Sequence, residues 1–301
     1  MRRVSRQDLR SHFIPLLLVL IFVQGCARPV LQTYPADEKE IAAVSEAFKR
    51  YQEISRETCA CCLDAEVDVA LSVPGWFREH TGKLSGYLQA MKPGYARFVA
   101  LNPLGQPWYI LVTDGKMIKS LNVFEEKAYS GSVRSEAYDK FAPAGFEPEK
   151  SYYWLSGRLP PGDIQIQAVM RDREQDGFWL QISQAGAIDH ESMVLFDPDE
   201  LLILRHVLRD ERGRHLVDVL YTDYQQISGI GKRNLGSSRA DNFTIVTIED
   251  FCRIPGSISV SSQTGSEKIT LKLHSFIEDA HFAAEDFSLE IPDNFEQLLF
   301  R

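Results

Sequence analysis

The chain lacks the short motifs that announce common catalytic chemistry. It has no H-E-x-x-H, no G-x-S-x-G and no phosphate-binding loop. Gly229-Ile230-Gly231-Lys232 is missing the later glycine–lysine–hydroxyl ending and reads as a flexible loop. His190-Glu191 has no second histidine at helical spacing, so a zinc-protease helix is excluded. Basic residues are outnumbered, 33 against 42 acidic ones, which argues against nucleic acid, whose binders need basic patches to neutralise phosphate. Long apolar runs are missing too. The run from Phe13 to Val23, interrupted by Pro15, falls short of the roughly 20 residues a spanning helix needs. No internal repeat is visible. These absences favour a non-enzymatic binding module over a hydrolase, with no cofactor or metal implied.

What is present begins with that apolar run. Arg2, Arg3, Arg6 and Arg10 precede it, and Val23-Gln24-Gly25-Cys26 follows it. A basic head, an apolar middle and small residues at a cleavage point make the three-part layout of a secretory signal. Val23-Gln24-Gly25-Cys26 resembles the lipobox cut by lipoprotein signal peptidase, with Gln24 departing from the usual small or β-branched residue. The resemblance implies a signal peptide over residues 1–25 and lipid attached to Cys26. Acyl chains partition at roughly 0.8 kcal/mol per buried methylene, and more than one chain anchors stably. Ala27, in place of an aspartate, leans toward the outer membrane by analogy with enteric bacteria. Taking the four arginines and one aspartate of residues 1–25 away leaves 29 basic against 41 acidic residues.

Besides Cys26 there are four cysteines: Cys59, Cys61, Cys62 and Cys252. In an oxidising compartment they suggest disulfides before free thiols, and free thiols before metal. C-x-C-C lacks the spacer of structural zinc knuckles. Cys61 and Cys62 are adjacent, so a bridge from the cluster to Cys252 is the expected pairing.

Residues 26–36 read as a lipidated tether and residues 37–301 as one domain. Ile41, Val44, Phe48, Tyr51 and Ile54 recur at helical steps, with Asp37 and Glu40 placed as a capping box and the end near Glu57. The period then changes to two. Strands are expected at Leu63–Leu71, Leu84–Met91, Tyr95–Leu101, Trp108–Thr113 and Met117–Phe124, joined by tight turns. Ser135–Ala142 and Pro148–Ser156 look helical. Strands resume from Ile164, among them Leu201–Arg209, Leu216–Tyr224, Phe243–Ile248, Ile269–Phe276 and Phe287–Ile291. His206, His215 and His274 fall on strands, as ordinary wet-face or half-buried residues. The fold class is therefore mainly β, a curved antiparallel sheet with a few covering helices.

Four features in order, from Tyr87 to Pro160, resemble LolB, the outer-membrane receptor that takes lipoproteins from the periplasmic carrier LolA. They are Asn102-Pro103-Leu104-Gly105, a hairpin leading to Ala128-Tyr129, a helical lid, and Trp154-Leu155-Ser156-Gly157-Arg158-Leu159-Pro160. Arg253-Ile254-Pro255-Gly256 and the strands up to Phe276 resemble the last hairpin of the LolA/LolB family. The likeness implies a half-open barrel with an apolar cavity for lipoprotein acyl chains, and a periplasmic LolA-like carrier as partner. It further implies that Leu104 protrudes and helps insertion into the membrane; tucking under its own hairpin is the alternative. Tyr138, Phe141, Tyr152, Tyr153 and Trp154 are the cavity or lid candidates, with ordinary core packing as the competing reading. The extra sequence between Ile164 and Tyr221, the Gly229–Asp241 loop and the cysteine cluster depart from the family pattern. A scaffolding lipoprotein that binds an envelope protein with the same fold is the rival function.

Overall fold

The computed structural model describes residues 31–57, 61–73, 80–135, 138, 147–184, 191–227, 253–262, 268–277 and 280–300. After a short strand β1 (Thr33–Pro35), helix α1 runs from Glu38 to Glu57. The expected capping box starts it. Asp37 Oδ1 accepts the Glu40 amide at 2.9 Å, and the Asp37 amide donates to Glu40 Oε2 at 2.9 Å. Two amides without intrahelical partners are satisfied reciprocally. Val44, Ala47, Phe48 and Tyr51 form its buried stripe. Ile41 lies off it, 40% exposed, because the stripe faces the sheet one position further round the helix.

The strands follow in a long meander: β2 (Cys62–Val73), β3 (His80–Met91), β4 (Tyr95–Leu101), β5 (Pro107–Thr113), β6 (Met117–Asn122) and β7 (Lys127–Ser132). A 3₁₀ turn, Pro148–Lys150, and helix α2, Ser151–Leu155, interrupt it. Then come β8 (Ile164–Asp172), β9 (Phe178–Gln184), β10 (Glu191–Asp197), β11 (Leu202–Arg209), β12 (His215–Gln226), β13 (Arg253–Ser262) and β14 (Lys268–His274). β15 (Glu296–Phe300) ends the described chain. All belong to one unclosed sheet, ordered β1-β8-β9-β10-β11-β12-β13-β14-β2-β3-β4-β5-β6-β7-β15. The two halves join where β14 pairs with β2, from Lys268 opposite Ser72 to His274 opposite Glu66. Every pairing is antiparallel except β15 on β7.

Strand periodicity gives the sheet two faces. One inner row runs Leu180, Val194, His206, Val219, Val260, Ile269 and Leu71, each paired to the next across seven strands. α1 covers this face. Phe48 meets Phe196 edge to face, with centroids 5.4 Å apart, and Tyr51 meets the same ring at 5.6 Å. Burying side chains of this size contributes about 1.5–3 kcal/mol each. The outer face has its own smaller clusters. Trp179, Met193, Leu195 and Val207 form one, and Val112, Leu121 and Ala128 another.

The C-terminal segment corrects one expectation. Phe287–Ile291 is not a strand: Ala284–Phe287 is a 3₁₀ turn, and the chain then crosses the outer face with Phe287 and Leu289 buried against the Val112 cluster. Apolar residues on both faces of β5–β7 require cover on both sides, and here the tail supplies the outer one. Phe243–Ile248 lies outside the described residues.

Removing the cap carboxylate by Asp37→Ala should lower the unfolding free energy by about 1 kcal/mol. Urea unfolding followed by circular dichroism checks this; an unchanged midpoint would mean that the sheet, not the cap, sets where α1 begins.

Candidate functional site

Two hairpin tips at one end of the β4–β7 meander carry the most exposed large apolar side chains among the described residues. Asn102 builds the first. Its Oδ1 accepts the amides of Leu104 at 2.9 Å and Gln106 at 3.0 Å, and its backbone amide donates to the Gln106 carbonyl at 2.9 Å. Gly105 takes a φ of 77°, a conformation that a side chain would strain. The turn therefore holds Leu104 outward, 83% exposed. Of the two readings offered by the sequence, protrusion is the observed one. The second tip, between β6 and β7, presents Phe124, 84% exposed. The tips are neighbours: the Val123 amide donates to the Trp108 carbonyl at 2.9 Å, and Trp108 is itself 44% exposed. Phe124 was not singled out by the sequence, since an apolar residue after a strand reads as part of that strand.

The segment Pro148–Pro160 lies against the inner face. Gly157 ends α2 with a φ of 65°, which lets the Arg158 amide reach the Tyr153 carbonyl at 2.9 Å. This explains why glycine follows Trp154-Leu155-Ser156. The aromatic candidates divide. Tyr152 is core, 1% exposed, and burial pushes its pKa up to about 12. Trp154 stacks on the His206 ring with centroids 4.6 Å apart. Tyr153 is half-buried and lines a cleft. Tyr138 is half-buried, its amide held by the Ser135 carbonyl at 2.9 Å. Phe141 lies outside the described residues.

His206 is not on a wet face. It is buried in the inner row, with Nε2 2.6 Å from the Ser192 hydroxyl. A serine–histidine pair can be a nucleophile and its base, but here Trp154 caps the ring and the serine is a packing partner. Burial first, and the nearby Lys150 ammonium second, pull the His206 pKa down to about 3.

The clefts in the described interior are small. One of about 240 Å³ lies between α1, the β3–β4 turn and the residues after α2, lined by Tyr51, Ser55, Lys92, Tyr153, Leu159 and Ile164. A second, of about 270 Å³, lies between Tyr95, Val112 and the C-terminal Phe287. Each is below the ~300–1,000 Å³ of a typical ligand pocket. Over β4–β7, where α2 rather than α1 meets the sheet, the inner-face residues Phe98, Tyr109, Leu111, Ile118 and Tyr129 are only half-buried.

Cys61 and Cys62 are bonded to each other, against the expectation that neighbours rarely pair, so neither is the member of the cluster that could bridge to Cys252. The turn at the start of β2 places the two sulfurs together, with the Cys61 carbonyl accepting the Lys92 amide at 3.0 Å. Cys26, Cys59 and Cys252, and with them the signal and the lipidation site, lie outside the described residues. Among the described residues no group of three His, Cys, Asp or Glu side chains is placed to hold a metal ion.

No family profile and no curated protein matches the sequence. Solved structures do. A DUF1329 family protein from Desulfovibrio piger aligns with a TM-score of 0.52 at 12% identity, over 82% of this chain and 97% of that one. A putative outer membrane lipoprotein-sorting protein domain from Vibrio parahaemolyticus aligns with a TM-score of 0.50 at 11% identity, over 81% and 97%. A LolA superfamily protein from Nitrosomonas europaea aligns at 10% identity and a TM-score of 0.49, over 82% and 97%. The chain thus shares its curved, unclosed and mainly β sheet with the first two of these structures, the fold class expected from the sequence.

Unfolded, His206 takes up a proton below about pH 6.5, its ordinary pKa, whereas the folded ring stays neutral down to about pH 3. The unfolded state binds more protons in that window, so the contribution to stability is full above pH 6.5 and lost as pH falls. Through this residue the unfolding free energy should be lower by about 2 kcal/mol at pH 5 than at pH 8. His206→Gln should remove that part of the slope in pH-dependent denaturant unfolding; identical slopes would contradict it.

Proposed function

We propose that this chain is a lipid-anchored protein of the bacterial outer membrane that holds acylated cargo and inserts it into the bilayer through its two hairpin tips. The observation that carries the proposal is Leu104, 83% exposed on a turn made rigid by Asn102, beside Phe124, 84% exposed on the adjoining tip. Single exposed apolar residues are ordinary. Two on neighbouring tips form a wedge, and burying such side chains in an acyl layer is worth about 1.5–3 kcal/mol each. Lipid on Cys26 would keep the wedge at high effective concentration near the membrane. The similarity to the putative outer membrane lipoprotein-sorting domain from Vibrio parahaemolyticus points the same way.

The cargo surface fits the half-buried inner face of β4–β7, because α1 fills the sheet on the β8–β14 side with Phe48 and Tyr51. Transfer needs no catalysis. A LolA-like carrier, this protein and the bilayer would hold one apolar cargo with successively greater affinity. The rival reading, a scaffold for an envelope protein, draws on the edge strand β15, whose Leu299 is 65% exposed. An edge of this kind can accept a partner strand.

Glutamate at both tips, Leu104→Glu with Phe124→Glu, should slow the transfer of an acylated lipoprotein from carrier to vesicles about tenfold or more, with the melting temperature unchanged. Undiminished transfer would remove the insertion role. Native mass spectrometry of the protein from membranes should show bound lipid; a stoichiometric protein complex free of lipid would favour the scaffold.

A further inference from the structure

Where the outer face of β3–β5 meets the tips, two large aromatic side chains stay in the open. The C-terminal tail seals this face around Val112, yet Tyr87 and Trp108 remain 46% and 44% exposed. Register puts both on the same face. Tyr87 pairs with Val99 and Val99 with Ile110, in alternation with the inner-face row Leu88, Phe98 and Leu111. Trp108 stands two residues before Ile110 and next to the inner-face Tyr109. It is also the extra residue of a β-bulge: Leu101 pairs with Pro107 and Ala100 with Tyr109, so Trp108 has no partner on β4. A bulge re-aims the side chain it carries. The Trp108 carbonyl accepts the Val123 amide at 2.9 Å, one residue before Phe124. The indole is thus built in at the foot of both tips.

Side-chain character is graded with height. Leu104 and Phe124 at the tips are purely apolar. Trp108 lies two positions below the Asn102–Gln106 pair that closes the first turn, roughly 7 Å down at about 3.3 Å per residue, and Tyr87 lies roughly 7 Å lower again. Apolar groups followed by amphipathic rings is the order met on passing from the hydrocarbon of a bilayer to its headgroups, where Trp and Tyr gather. Beside the second tip Lys127 is paired with Glu125 at 3.0 Å, and Glu126 lies between them in sequence. That rim offers no excess of positive charge to anionic lipid.

We infer that Trp108 is a headgroup-level anchor that limits how deep the tips enter, with the outer face of β3–β5 turned toward a zwitterionic lipid surface and Tyr87 at its watery edge. The inference rests on the insertion proposed for Leu104 and Phe124, and adds to it a depth and a facing side. The indole N–H needs a hydrogen-bond partner, which headgroups supply and hydrocarbon does not. With the outer face on the lipid, the inner face of β4–β7 stays free for cargo.

The test uses the chain purified from membranes, in phosphatidylcholine vesicles brominated either near the head of the acyl chain or near its far end. Subtracting the fluorescence of Trp108→Phe isolates the Trp108 signal. Bromine near the head should quench that signal about twofold more than bromine near the far end. Equal quenching at both depths, or none, overturns the anchor. Added phosphatidylglycerol should leave the quenching unchanged; quenching that requires the anionic lipid overturns the choice of surface. Trp108→Ser should slow transfer of an acylated lipoprotein several-fold at an unchanged melting temperature, and Trp108→Tyr should retain it. The tip variant, Leu104→Glu with Phe124→Glu, separates the two readings. Slow transfer in that variant, with Trp108 unquenched in the unaltered chain, keeps the insertion role and strikes the anchor. Normal transfer in it strikes the insertion role and the depth limit together.

Discussion

The seating of α1 on the inner face is the contact on which the rest of this molecule depends. An unclosed sheet of this width exposes an apolar surface that cannot remain in water, and Val44, Ala47, Phe48 and Tyr51 pack on part of it. Tyr51 then acts as a joint. Its ring packs on Phe48 and Phe196, and its hydroxyl takes the Leu159 amide. Helix, sheet and the segment after α2 meet at one side chain, whose hydroxyl pKa is pushed up by burial. The position of Arg158, the wall of the cleft at Lys92 and the rest of α2 all follow from that junction.

The covered half and the less covered half have different uses. Beneath α1 the described side chains pack into one core cluster, which gives stability. Over β4–β7 the inner face stays half-buried, the outer face is sealed by the C-terminal tail, and both hairpin tips point away from the core. On the proposed function, the same meander would offer an apolar surface to a cargo and two apolar knobs to a membrane. Order at Asn102 and Gly105 would serve that proposed role, because a tip already ordered would lose little entropy on entering a bilayer.

Much of the fold was legible because the signals were local. Capping at Asp37 and Glu40, the alternation of β2 and the turn residues between β3 and β7 act through neighbours in sequence. The strand at Tyr95–Leu101 has the very bounds its pattern indicates. The site was legible only in part. Asn102-Pro103-Leu104-Gly105 is a local turn, so Leu104 could be named from it. Phe124 becomes a partner of Leu104 only because β5 and β6 pair. The bond between Cys61 and Cys62 escaped because adjacency usually forbids it.

By itself the sequence determined the alternating patterns, the helix start and the tight turns, each set by the preferences of a few consecutive residues. It also carried the order of motifs that resembles a lipoprotein receptor. Tertiary structure alone decided that His206 is sealed under Trp154 and Ile41 faces outward. It likewise turned the C-terminal segment into a cover for the outer face rather than a strand after Phe287. Those outcomes depend on which surfaces remain apolar once the strands have paired, a property of the assembled sheet that no short stretch of sequence contains.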